Sequence, residues 1–296
     1  MRWRPAIAIG AILLVISTLT GSVGKPFPET YVASHIWQEE LSGFGGFSGL
    51  DIAPNGRDFV AVTDRGFLAR GVLIRDGERI TRVRLDHFAP INPSQTDSKR
   101  KNDAEAVVTG RNGLYISYEQ NHRTIHLERA GAILRLPAHP DFRLFPRNGG
   151  LEALAMDAMG RLHAIPERFL RDRAFPVYRL EGSEWSIVTT LKPVGGFVPA
   201  GASFGPDGAL YVLERAFSGY GFRSRVRRVT ETAGTWRDDE VFRSPVGRHD
   251  NLEGIATWRD KDGHIRLTMI SDDNFLFLQR TEIVEYRVPS ELAIRR

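Results

Sequence analysis

Five strand-turn-strand segments at one interval, no helical periodicity, and a last unit one strand short predict an all-β fold, a β-propeller of five four-stranded blades. The turn glycines Gly56, Gly113, Gly160, Gly208 and Gly263 recur roughly every fifty residues. Each lies between two runs with apolar alternation, the pattern of a hairpin. A β-sandwich uses similar hairpins, but it gives no reason for five like turns at one period. Five is the count that the repeats support, with six blades as the alternative.

The hairpins run from Phe44 to Gly66, Asp103 to Gln120, Gly149 to Arg168, Ala200 to Arg215 and Asn251 to Phe275. After each of the first four come two further short strands, GVLIRDGERITRVRLDHF being the first such pair. After the fifth only TEIVEYRV remains, so a strand over Tyr31 to Leu41 is expected to supply the missing outer strand and join the two chain ends in one blade. The pieces from Pro90 to Asn102 and from His139 to Gly150 are free of strand pattern and read as loops over one face.

A chain of 296 residues, 42% hydrophobic and 26% charged, is globular, and residues 25–296 read as one domain. Its net charge of +4 falls to about +2 without Arg2 and Arg4, too little to suggest a nucleic-acid partner. Those arginines precede an apolar run from Ala6 to about Leu19, so residues 1–24 read as a secretory signal or, uncleaved, an inner-membrane anchor. A periplasmic or secreted monomer is expected, with no other membrane contact. The absence of cysteine excludes disulfides and thiolate metal sites.

In a propeller, first-strand starts and second-strand ends share one face, and the acids of this chain fall there. Glu105, Glu152 and Glu253 begin first strands; Asp64, Glu119, Glu167, Glu214 and Asp272 end second strands; Ser48 and either Ala200 or Gly201 take the two remaining first-strand places. Asn102, Asn148, Asn251 and Asn274 add neutral oxygens. Carboxylates gathered at one mouth repel by about 1 kcal/mol per close pair in water and by more when buried. Two things offset that: a hard cation such as Ca²⁺, which takes about 6–8 oxygens, or the arginines Arg65, Arg168 and Arg215 that directly follow three of the acids.

The motifs GGFSGLDI with TDRG, NDAEAV, GGLEALA, LERAF, and above all DNLEGIA followed by SDDNF, resemble the phytase-like family described as "esterase-like activity of phytase", over about Phe44 to Val288. The resemblance implies an exported bacterial protein that hydrolyses phosphate or carboxylic esters. It carries Glu105, Glu152, Glu253, Asp272, Asp273 and Asn274 into the site, with Asp64, Arg65, Glu214 and Arg215, although the fourth unit lacks the first-strand acid.

The expected activity is therefore hydrolysis of a small-molecule ester or phosphoester. Glu105 and Glu253 are the candidate bases, Asp64, Glu152, Glu214, Asp272, Asp273 and Asn274 the candidate Ca²⁺ ligands, and Arg65, Arg168, Arg215 and His249 the substrate contacts. A non-catalytic propeller that binds a ligand or partner protein, and a Ca²⁺-dependent lactonase, are the alternatives. Ser48 and Ser218 do not fit G-x-S-x-G, and no H-E-x-x-H is present.

Overall fold

The computed structural model describes residues 30–92, 102–168 and 174–294. The leader and most of the stretch after Pro90 lie outside the described residues. Five four-stranded antiparallel sheets surround a central axis. From the axis outward, blade 1 is β2 (Phe47–Ile52), β3 (Asp58–Thr63), β4 (Phe67–Asp76) and β5 (Arg79–Pro90). Blade 2 is β6 (Ala104–Gly110), β7 (Gly113–Tyr118), β8 (Arg123–Glu128) and β9 (Ile133–Arg135). Blade 3 is β10 (Leu151–Met156), β11 (Leu162–Pro166), β12 (Phe175–Glu181) and β13 (Glu184–Leu191). Blade 4 is β14 (Val198–Phe204), β15 (Leu210–Phe217), β16 (Phe222–Thr232) and β17 (Thr235–Arg243).

Blade 5 closes the ring. Its strands β18 (Asn251–Arg259), β19 (Ile265–Asp272) and β20 (Glu282–Arg287) receive β1 (Tyr31–Ile36) as the outer strand, as the short last unit predicts. β1 stops five residues before Leu41, the expected end. Trp37 is the reason: its ring is buried against Phe44, Phe47 and Phe59, which turns the chain out of blade 5 and into blade 1.

Each sheet is covered on both faces by its neighbours, so the second strands are buried along nearly their whole length rather than at alternate residues. β19 is buried at every residue. Five hydrophobic clusters fill the five blade interfaces: Trp37, Phe47, Trp258 and Ile283 belong to the one between blades 5 and 1, and Leu154, Tyr178 and Trp185 to the one between blades 2 and 3. Into the latter also go Phe142 and Phe145. The segment from His139 to Gly150, expected as a surface loop, thus contains a short 3₁₀ helix, Pro140–Leu144, that wedges between blades. Buried ion pairs add to the interfaces. Glu285 of β20 accepts from both Nη atoms of Arg75 at 2.6 and 2.7 Å and from Arg266 at 2.8 Å.

Candidate active site

The five innermost strands share one irregularity. In each, the pairing with the second strand skips one residue: Ser48 in β2, Glu105 in β6, Glu152 in β10, Ala200 in β14 and Glu253 in β18. This is a β-bulge, which leaves one residue unpaired and re-aims its side chain. The residue after each bulge is small: Gly49, Ala106, Ala153, Gly201 and Gly254. Neighbouring first strands touch there, and a Cβ on Gly201 would lie 2.4 Å from the Glu253 carbonyl oxygen. The repeated bulge therefore sets three glutamates at equivalent places around one axis.

The second strands contribute the next layer. Registering the hairpins on their bulges makes Asp64, Glu119, Glu167, Arg215 and Asp272 equivalent. Sequence reading puts Glu214 in that row, and the pairing corrects it by one residue: Arg215 lies opposite Val198, and Glu214 opposite Pro199. A slip of one residue along a strand moves a side chain to the other face. Glu214 accordingly points away from the mouth and is fully buried in a network with Arg225, whose Nε donates at 2.7 Å, and Arg227. Arg215 enters the mouth instead. Its guanidinium donates to Glu253, to Asn251 Oδ1 at 3.0 Å and to Glu167 at 3.5 Å, linking blades 3, 4 and 5.

Glu105, Glu119, Glu152, Glu167, Glu253, Asp272 and Asp103 are all buried. Burial, then the charges of Glu152, Asp103, Glu253 and Glu119, push the Glu105 carboxyl well above its ordinary value. Glu152 is raised in the same way, by burial and then by Glu167, against the pull of Arg215. Glu253 is raised by burial, while Arg215 and a 2.7 Å hydrogen bond from Asn251 Nδ2 work in the opposite direction. Asp272 is raised to about 8, by burial first and Glu253 next. Arg215 is held charged: burial opposes the charge, but Glu253, Glu152, Glu167 and Glu105 outweigh it.

The other expected site residues are placed as follows. Asp273 accepts from the Gly46 and Phe275 amides at 2.9 and 3.1 Å and from Thr281 Oγ1 at 3.2 Å, which joins the fifth hairpin to the first. Asn274 is exposed, in left-handed backbone with φ 47°, and its amide donates to Asp272 Oδ1 at 2.7 Å. Arg65 lies 3.3 Å over the Phe275 ring, and Arg168, 62% exposed, pairs with Glu167 at 3.5 Å. His249 is sealed into blade 5, where Nε2 shares a 2.7 Å hydrogen bond with the Tyr286 hydroxyl. Ser48 Oγ donates to the Ala104 carbonyl at 3.0 Å, and Ser218 Oγ to that of Gly221 at 2.9 Å, so each hydroxyl serves local structure.

Two groupings among the described residues have the spacing of a cation site, Asp260, Asp262 and His264 on the outer turn of the fifth hairpin and a buried one at the mouth. Single carboxylate oxygens of Asp103, Glu105 and Glu119 all lie within 4.8 Å of one another. Glu105 makes no ion pair among the described residues, and an all-oxygen donor set suits a hard cation. The residues present thus fit a metal ion. Asp103 and Glu119 are absent from the ligand set that the sequence suggests, although a signal exists: Asp103-x-Glu105 has the spacing of Asn251-x-Glu253.

This arrangement defines a class, a five-bladed β-propeller with a buried acidic mouth at one end of its axis. The chain belongs to the phytase-like family, "Esterase-like activity of phytase", whose model matches residues 42–275. A search of curated proteins found no match. Among solved structures, the chain is similar to a gluconolactonase from Xanthomonas campestris, at 12% identity and TM-score 0.43 over 78% of this chain and 69% of that one. It is similar also to a glucose dehydrogenase, at 10% identity and TM-score 0.49 over 87% and 99%.

Proposed function

We propose that the protein hydrolyses esters or phosphoesters at the channel mouth, assisted by a hard cation such as Ca²⁺. One observation carries this reading: Ser48 and Ala200 occupy the same bulge as Glu105, Glu152 and Glu253. The propeller therefore closes without an acid at that position. Three buried glutamates kept at an electrostatic cost, two of them free of ion pairs among the described residues, are a feature that folding does not ask for.

Asp103, Glu105 and Glu119 would hold the cation, with Glu152 as a further oxygen donor. Bound there, the cation supplies the positive charge that attracts the substrate's anionic or carbonyl oxygen. Glu253, oriented by Asn251 and Arg215, acts as general base and takes the proton of the attacking water. As the new P–O or C–O bond forms, the bond to the leaving oxygen breaks. Asp272, protonated at neutral pH, gives that oxygen its proton. The protons balance when Glu253 returns its own to Asp272 or to solvent. The leader makes export to the periplasm part of the same proposal.

The test is turnover of phosphoester, carboxylester and lactone substrates by purified protein with Ca²⁺, with a chelator, and as Glu253→Gln. Chelation and Glu253→Gln should each lower the rate by about 10²-fold or more. Activity indifferent to both treatments would remove this mechanism, and saturable ligand binding without turnover would favour a binding propeller.

A further inference from the structure

Two loops on the mouth face rise beside the acids and carry unusual surface chemistry. One follows Arg215 between β15 and β16; the other follows Asp272 between β19 and β20. Phe277 is 99% exposed, Leu278 89%, Tyr220 88% and Phe217 64%. With Phe222 and Leu276 they line an open groove of about 930 Å³, a volume in the range of ligand sites. Large apolar side chains clustered in water at one place mark a binding surface rather than a random scatter.

The groove borders the acidic mouth through residues next to its acids, although no mouth carboxylate lines it. Asn274, whose amide holds Asp272, also lines the groove, as does Asp250, the neighbour of Asn251. From these observations we infer that the groove is the subsite for the apolar moiety of the substrate, and that the preferred substrate class is an ester with an alkyl or aryl group of several carbons. The inference rests on the hydrolase reading above for the position of the ester head, but not for the tail. The concave shape and the polar groups set among the rings, Gln279 and Arg280, suit a small amphiphile better than a flat protein partner.

The test compares binding of n-octylphosphonate and methylphosphonate, which share a non-hydrolysable head, by calorimetry in the presence of Ca²⁺. The wild-type protein should bind the octyl compound at least about tenfold more tightly, because each buried methylene contributes about 0.8 kcal/mol. The triple variant Tyr220→Ser, Phe277→Ser, Leu278→Ser should lose most of that preference and leave methylphosphonate affinity unchanged. Equal affinity for the two compounds, or no saturable binding of the octyl one, overturns the inference. So does a wild-type dimer in sedimentation that the triple variant dissolves, since the groove would then be covered by a second copy. Absence of ester turnover with the tail preference intact would defeat the hydrolase reading alone.

Discussion

Metal-free protein should lose stability as pH rises, and Asp272 allows the size of the effect to be worked out. Its carboxyl titrates near 3.8 in the unfolded chain and near 8 in the folded one. Between those values the folded state binds one proton more than the unfolded state. Its contribution is therefore present in full below the unfolded value and is lost as pH climbs to the folded one. At about 1.36 kcal/mol per pH unit, raising pH from 5 to 8 removes on the order of 4 kcal/mol through this group. Glu105 and Glu152, raised for the same reason, steepen the fall. Urea unfolding in chelator across pH 5–9 measures it. Asp272→Asn should flatten the profile by about one proton's slope, and saturating Ca²⁺ should stabilise most at high pH, where the mouth is most highly charged. Stability that is level or rising over this range in chelator, with no change in Asp272→Asn, would refute the electrostatic account of the mouth.

Other outcomes follow from the same geometry. Arg215→Met removes the cation beside Glu253, so the acidic limb that Glu253, as the base, sets in the pH profile of kcat/KM should move to higher pH; an unmoved limb would take Glu253 out of the base role. Glu214→Ala takes away the fully buried carboxylate between Arg225 and Arg227, leaving them only the more exposed Glu240 and Asp238, and should cost about 3–5 kcal/mol in denaturant unfolding, while Ca²⁺ affinity measured on the folded protein stays the same. Gly254→Ala places a Cβ 2.8 Å from the Leu50 amide nitrogen and should lower stability by about 1–3 kcal/mol, because the inner strands have no room to separate.

How much of this was legible in the residues depends on the range of the interaction. The hairpins, their period and the closing role of a strand that begins at Tyr31 follow from local alternation and turn chemistry, and the structure agrees with each, although that strand ends at Ile36 rather than Leu41. Glu105, Glu152 and Glu253 stand out because they begin apolar strands, where a carboxylate has a cost. Glu214 and Arg215 were the difficult pair. Adjacent in the chain and both charged, they can be assigned to faces only through the pairing of β15 with β14, whose bulge at Ala200 shifts the register by one.

The order of strands, the number of blades and the collection of acids at one end are properties of this chain's own pattern, since alternation and turns act between near neighbours. Which of those acids meet, which arginine joins them, how high burial lifts Asp272, and where the exposed rings of Phe277 and Tyr220 stand relative to the mouth were decided only when five sheets packed around an axis. Those outcomes depend on distances between residues far apart in sequence and on the loss of water around them, which no single stretch of the chain encodes.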